Sequence, residues 1–268
     1  MDYSGKVVVI TGASSGIGEQ SAEEFAKLHA SVILVSRNEE NLHKVAAKLS
    51  KYQTKIFVYA CDISKKDQVE AMGRVILEKF GTVDVLVNNA GFGIYNTVEK
   101  TKIEEIESQM STNFFGMMYC TKTFLPKMLE QKSGHIVNVA SVAGSIGIPN
   151  MASYCASKFA ILGFSESLSH ELKGTGVGIT IVSPIMVRTN FFNHKSFGNM
   201  TRYSATSLSP KTVANAVVRA ASSPRLEIVV PQFVRFAIWT RQTLPYLVNP
   251  IVSVIFKKSM KSKIDEQK

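Results

Sequence analysis

Apolar, often β-branched runs recur along the chain at residues 6–11, 31–36, 55–60, 83–88, 135–140, 178–183 and 227–230. The central runs carry almost no polar residue, as in strands covered on both faces within a parallel sheet. Residues 16–29, 39–50, 65–80, 104–131, 152–173 and 210–221 show helical spacing of apolar positions instead. Strand and helix alternate throughout, which predicts an α/β fold. The expected architecture is a doubly wound parallel sheet of about seven strands, flanked by helices, in a single domain over residues 1–230. No internal repeat and no Pro-, Gly- or Ser-rich linker divides it.

Two segments depart from this rhythm. Residues 185–209 mix aromatic, polar and small side chains after a strand, where open α/β sheets form their ligand crevice, so a substrate loop is expected. Residues 231–268 form a hydrophobic and basic extension, with Phe233, Phe236, Trp239 and Phe256 ahead of Lys257, Lys258, Lys261 and Lys263. It either folds over its own or a partner's core, or lies peripherally on an anionic bilayer surface. Arg235, Arg241, Pro245 and Pro250 interrupt it, so no apolar run is long enough to span a bilayer.

Charge and composition narrow the function classes. The 268 residues carry a formal net charge of +10, and the basic residues are scattered outside the tail, without the aromatic interleaving of a nucleic-acid surface. No nucleic-acid partner is expected. Cys61, Cys120 and Cys155 form no CxxC pair, and the five histidines are isolated, so no metal site is expected. The sparse, odd cysteine count and a strand that begins within the first ten residues predict a cytoplasmic protein without a signal peptide.

The candidate chemistry begins after the first strand. Gly12-Ala-Ser14-Ser15-Gly16-Ile17-Gly18 is neither GxGxxG nor a Walker loop. Its glycines nevertheless allow a tight turn, and the helix that follows offers free N–H groups to a pyrophosphate. At the end of the second strand a dinucleotide site usually places a carboxylate against the ribose hydroxyls. Here Ser36 and Arg37 stand there, and a guanidinium pairs with a 2′-phosphate, so NADP(H) is favoured over NAD(H). Asp62 and Ile63 end the third strand, where Asp62 either accepts from an adenine amino group or starts a turn. Asn88-Asn89-Ala90-Gly91 ends the fourth, with short amides and a glycine suited to close backbone approach.

Tyr154 and Lys158 lie four residues apart, on one face of a helix. A phenol is a poor acid or base at neutral pH, and a neighbouring ammonium is expected to lower its pKa. That pairing suits proton transfer to or from a carbonyl/alcohol pair. Ser141 lies upstream in Asn138-Val-Ala-Ser141-Val142.

Taken in order, Thr11-Gly12-x3-Gly16-x-Gly18, Asp62, Asn88-Asn89-Ala90-Gly91, Asn113, Ser141 and Tyr154-x3-Lys158 resemble the short-chain dehydrogenase/reductase family, over roughly residues 5–230. The resemblance implies a Rossmann-type fold and a catalytic set of Asn113, Ser141, Tyr154 and Lys158. Tyr154 would be the general acid/base, and Ser141 would bond the substrate oxygen. Lys158 would hold the nicotinamide ribose, and Asn113 would support a water linking Lys158 to solvent. Asn89 and Gly91, with Ala90, would line the adenosine ribose. Pro184, Val187 and Thr189 would meet the nicotinamide end, with Ile185 standing where the family has glycine. Val142, Ile148, Met151, Ile185, Met186, Phe191 and Phe192 are candidate substrate-lining residues, which suggests an apolar or lipid-like carbonyl or alcohol. The resemblance also implies a homodimer or homotetramer paired through the helices at 104–131 and 152–173. A non-catalytic dinucleotide sensor or scaffold and an NAD-dependent relative are the competing readings.

Overall fold

In β1 (Val7–Thr11), Val8 and Ile10 join one helix layer and Val7 and Val9 the other, following the two-residue period of a strand. The computed structural model describes residues 2–198, 206–246 and 250. In chain order, β1 is followed by α1 (Gly16–Lys27), β2 (Ser31–Ser36), α2 (Glu39–Leu49), β3 (Ile56–Ala60), α3 (Lys66–Phe80) and β4 (Val85–Asn88). Then come α4 (Ile103–Met110), α5 (Gly116–Gln131), β5 (Gly134–Val139), α6 (Ala152–Glu171), β6 (Val177–Pro184), α7 (Pro210–Ala220), β7 (Glu227–Val230) and α8 (Val234–Thr243).

The strands form one seven-stranded, all-parallel sheet in the order β3-β2-β1-β4-β5-β6-β7. Helices α1, α2 and α7 cover one face, with Ala22, Phe25, Leu42, Val45, Val213 and Val217 in the core. Helices α3, α5 and α6 cover the other through Val69, Met72, Ile76, Phe124, Met128 and Leu168. This is the Rossmann-like doubly wound topology that the alternation predicts. Chain direction across the sheet reverses between β1 and β4, so the crevice for a ligand opens at the carboxyl ends of those two strands.

Local chemistry sets the helix ends. Asn38 starts α2 by accepting from the Asn41 N–H at 2.8 Å, and Ser209 starts α7 by accepting from the Thr212 N–H at 3.1 Å, with Pro210 following. Gly81 stops α3 in the left-handed region at φ +71°.

One expected helix is divided. Residues 104–131 form α4, then a π-helical turn over Ser111–Phe115, then α5. A π turn inserts one extra residue without disturbing apolar periodicity enough to be read in the sequence. It swings Asn113 into the interior, where it is 1% exposed.

Of the segment 185–209, residues 199–205 lie outside the described residues. Its two limbs are tied by a parallel bridge between Val187 and Leu208 and by the Arg188 N–H donating to the Leu208 carbonyl at 2.9 Å.

The chain separates into two units, Met1–Val230 and Pro231–Lys268. In the second, α8 carries a Phe236–Trp239 ring pair with centroids 5.8 Å apart. The expectations for the apolar and lysine-rich stretch beyond Tyr246 fall outside the described residues, Pro250 excepted. Among the described residues, no helix is long and apolar enough to cross a membrane.

Candidate active site at the carboxyl end of the sheet

Apart from Tyr154 and Lys158, which lie on α6, the sequence-predicted coenzyme residues sit at or after strand carboxyl ends: Gly12–Gly18 after β1, Ser36–Arg37 at β2, Asp62–Ile63 after β3, Asn89–Gly91 after β4, and Pro184 with Val187 and Thr189 at and after β6. The glycines of the first loop are fixed by packing. A Cβ on Gly12, which has φ +66°, would lie 2.8 Å from the Ala90 Cα, and one on Gly18 would collide with the Gly12 carbonyl oxygen. The Thr11 hydroxyl accepts from the Asn89 and Ala90 N–H groups at 3.0 and 3.1 Å, and Asn89 Nδ2 donates to the Thr11 carbonyl at 3.0 Å. The β1 and β4 loops are thereby laced together. Ser15 stands at the start of α1 in extended conformation and makes no side-chain cap, so the first-turn N–H groups keep their donor capacity. A cleft of about 340 Å³ lies beside them, lined by Ser15, Gly16, Arg188 and Thr189 and also by the carboxylates Glu19 and Glu23. Tight glycines and uncapped donors fit the pyrophosphate of a dinucleotide.

The other coenzyme candidates differ in engagement. Arg37 is exposed. Ser36 Oγ donates to the Asn38 carbonyl at 3.4 Å. Asp62 starts a turn, because its Oδ1 accepts from the Ser64 N–H and hydroxyl at 3.0 and 2.8 Å. Thr189 caps a short 3₁₀ turn by accepting from the Phe191 N–H at 3.3 Å. A Cβ on Gly16 would sit 3.0 Å from Thr189 Cγ2, so the β1 and β6 loops touch.

Asn113 holds the β4 loop from beneath. Its Oδ1 accepts from the Phe92 N–H at 3.0 Å, and its Nδ2 donates to the Phe92 carbonyl and to Ser157 Oγ, each at 3.0 Å. Gly91 fits above it: an added Cβ would meet Asn113 Oδ1 at 3.0 Å and Lys158 Nζ at 3.8 Å.

Tyr154 and Lys158 lie on the inner face of α6, both buried. Lys158 Nζ donates to the Val139 carbonyl at 2.9 Å and stands 5.7 Å from the centre of the Tyr154 ring. Ser141, just past β5, accepts from the Ala143 N–H at 3.1 Å. Its single hydrogen serves either the Pro184 carbonyl, 3.4 Å away, or the Tyr154 phenol, with which it shares a hydrogen bond. The expected lowering of the phenol by Lys158 is not what this environment produces. Burial pushes Tyr154 above its ordinary value, and the bond with Ser141 is the contribution that opposes it. Burial also draws Lys158 down to about 8. Both groups are penalised in their charged forms by the apolar surroundings. The set as it stands is a protonated phenol, a hydroxyl and an easily neutralised amine. It can donate a proton to an oxygen brought against Tyr154.

The surroundings are aromatic. Tyr154 packs with Ala143, Met151, Cys155, Phe192 and Phe197, joined by the half-buried Tyr95, Ile148 and Phe191. The Phe191 ring lies 5.3 Å from that of Tyr154 at 65°, and a Cβ on Gly93 would collide with Phe191 Cζ. Of the candidate substrate-lining residues, Ile148, Met151, Phe191 and Phe192 share this cluster with Tyr154. Val142, Ile185 and Met186 are not in this cluster. Val142 opens the 3₁₀ turn after Ser141. The Ile185 N–H is taken by the Val230 carbonyl at 3.0 Å, extending the β6–β7 pairing, and Met186 is exposed. Sequence reading missed Tyr95, Phe197 and Gly93. Tyr95 OH accepts from Asn150 Nδ2 at 3.1 Å and its N–H donates to Ser196 Oγ at 3.0 Å, so three loops meet there. It missed Gln109 as well, whose Nε2 donates to the Phe92 carbonyl at 3.2 Å.

Comparison with known proteins agrees with this architecture. The short chain dehydrogenase family matches residues 6–198. Estradiol 17-beta-dehydrogenase 11 of Pongo abelii is 34% identical over 244 residues, covering 90% of this chain and 80% of that protein. A short chain dehydrogenase/reductase from Burkholderia phymatum, solved in complex with NAD, superposes with a TM-score of 0.83 at 28% identity over 92% of this chain and 96% of its own. A metagenomic short-chain oxidoreductase in complex with NADP gives 0.74 at 29% identity over 85% and 96%. Similar structures thus hold either nicotinamide coenzyme. The chain belongs to the short-chain dehydrogenase/reductase family of oxidoreductases.

Proposed function

We propose that the protein is an NADP(H)-dependent oxidoreductase acting on a carbonyl/alcohol pair of a small apolar or lipid-like substrate. The observation that carries this reading is the convergence of Ser141, Tyr154 and Lys158 on the crevice that also holds the glycine loop. When bound, nicotinamide supplies or accepts the hydride. Tyr154 gives its proton to the carbonyl oxygen in reduction and recovers it in oxidation. Ser141 turns its hydroxyl hydrogen to the same oxygen and stabilises the charge that develops there. Lys158 holds the nicotinamide ribose hydroxyls, and Asn113 supports a water linking Lys158 to solvent. A phenol kept protonated by burial suits the reducing direction.

The Gly12–Gly18 loop, Asp62, Ile63, Asn89, Ala90, Gly91, Pro184, Val187 and Thr189 would hold the coenzyme. The exposed Arg37, with no carboxylate at the end of β2, favours a 2′-phosphate. Buried, unpaired Cys61, Cys120 and Cys155 support a reducing, cytoplasmic setting. Exposed Phe115 and Phe159, on the π turn and α6, support pairing of two copies across these helices. In the second unit, exposed Phe233, Phe236 and Trp239 with Arg235 suit an anionic bilayer surface, which liposome flotation with and without residues 231–268 tests.

The central test follows NADPH absorbance with a panel of aldehydes and ketones. Turnover is expected to be faster with NADPH than with NADH. Tyr154→Phe should lower kcat by about 10³-fold while keeping NADPH affinity. A Tyr154→Phe protein working at near wild-type rate on the same substrate overturns the reading.

A further inference from the structure

Gln109 lies on α4, two residues before the π turn, and is completely buried. Its Nε2 donates to the Phe92 carbonyl at 3.2 Å, while its Oε1 has no hydrogen-bond partner. The same carbonyl accepts from Asn113 Nδ2 at 3.0 Å, and the Phe92 N–H returns to Asn113 Oδ1 at 3.0 Å. Three hydrogen bonds from two side chains thus fix the two peptide units that flank Phe92 in the loop after β4.

A buried amide with an unpaired acceptor is a poor choice for stability, because an unbranched apolar side chain of similar length fills the space without that penalty. The amide contributes a second donor to the Phe92 carbonyl, which an apolar side chain lacks. Asn113 has no spare capacity to replace it, since the two hydrogens of its Nδ2 already serve Phe92 and Ser157. Residue 91, next in the chain, is the glycine over which Asn113 Oδ1 and Lys158 Nζ close to 3.0 and 3.8 Å from an added Cβ. Small shifts at Phe92 therefore reach the crevice wall and the Lys158 ammonium together.

We infer that Gln109 is a positioning residue that clamps the Phe92–Gly93 peptide, whose carbonyl it shares with Asn113, and keeps Asn113 oriented at the coenzyme-facing wall. It touches neither substrate nor reacting groups. The significance of the clamp for the coenzyme rests on the oxidoreductase reading above; the clamp itself does not.

The test compares wild type with Gln109→Met by thermal melting, by hydrogen exchange of coenzyme-free protein read on peptides covering residues 89–95, and by NADPH kinetics. The expected result is an unchanged or higher Tm, about tenfold faster exchange confined to 89–95, an NADPH KM raised about fivefold to tenfold, and kcat within about twofold. Wild-type exchange in 89–95 overturns the clamp, as does a Tm loss with faster exchange throughout the chain. The two readings fail separately. Faster local exchange in a protein whose wild type binds no NADPH sustains the clamp and sinks the coenzyme assignment. Unchanged exchange in a protein that binds NADPH sinks the clamp alone.

Discussion

The β1–β4 end of the crevice is shaped by absent side chains, and the Tyr154 end by large ones. At the first, Gly12 and Gly18 let two stretches of backbone approach to distances that a single methyl would forbid, and Thr11 and Asn89 lace the loops with main-chain bonds. At the second, Phe191, Phe192, Phe197 and Tyr95 crowd around one phenol with ring centroids 5.1 to 5.8 Å apart. Backbone-defined surfaces have few solutions and bind a constant ligand. On the reading proposed above, the ring-lined surface meets the substrate, and the shape of its rings sets which one fits. The difference predicts that the ends respond separately to substitution.

Of the effects that separate the two ends, the largest belongs to the glycine loop. In Gly18→Ala the new methyl meets the Gly12 carbonyl, a backbone atom that cannot swing aside. Overpacking of this kind costs about 2–3 kcal/mol, and if the loop yields, NADPH binding weakens by about a hundredfold. Fluorescence titration of NADPH measures it. A Gly18→Ala protein with wild-type affinity would show that the loop is not rigid and would erase the contrast.

The same contrast explains what the sequence made legible. The alternation of strands and helices, the glycine loop and Tyr154-x3-Lys158 could be read because each is a local constraint: a short apolar β-branched run, a glycine spacing, an i,i+4 face. The aromatic wall is not local. Tyr95, Met151 and Phe197 meet only because the β4, β5 and β6 loops end on one side of the sheet, and no spacing rule joins residues so far apart. Of the residues just after Ser183, Ile185 and Met186 stand outside that cluster, since β6 continues its pairing through the Ile185 N–H and Met186 is exposed. Gln109 gave no signal because a single glutamine in an amphipathic stretch looks like surface. The lowered phenol failed for a related reason: proximity of an ammonium is visible in sequence, whereas desolvation by a tertiary cluster is not.

An intermediate effect is expected where the two ends join, at Lys158. Its folded value of about 8 lies below the ordinary 10.5. An unfolded chain therefore keeps this proton through the interval from about 8 to 10.5 while the folded one sheds it. Below about pH 8 both states are charged, and the folded protein bears the whole burial penalty, on the order of 3 kcal/mol. As pH rises through the interval the penalty disappears. Lys158→Met removes the penalty but also the bond to the Val139 carbonyl, a net contribution of about 1 kcal/mol. The coenzyme-free variant should thus be about 2 kcal/mol more stable than wild type at pH 7 and lose that advantage by pH 10, as urea melts would register. Equal stability at both pH values would show that Lys158 sits in a wetter site than its burial implies. Such a result would make the centre of the crevice resemble neither end.

The smallest effect, and the sharpest separation, should come from Phe191→Leu. Leucine keeps the apolar character over Gly93 and Tyr154 but abandons the edge contacts to the Tyr154, Phe192 and Phe197 rings. Aromatic pairs contribute roughly 0.5–1.5 kcal/mol each beyond buried area, so kcat/KM for an aryl ketone relative to an aliphatic one of equal size should shift about threefold to tenfold. Phe191 follows Thr189 by two residues, and Thr189 touches Gly16 of the coenzyme loop. If the ends are independent, NADPH affinity stays at the wild-type value while the substrate ratio moves. If both move together, the Thr189–Gly16 contact transmits the change, and the crevice works as one coupled surface instead of two.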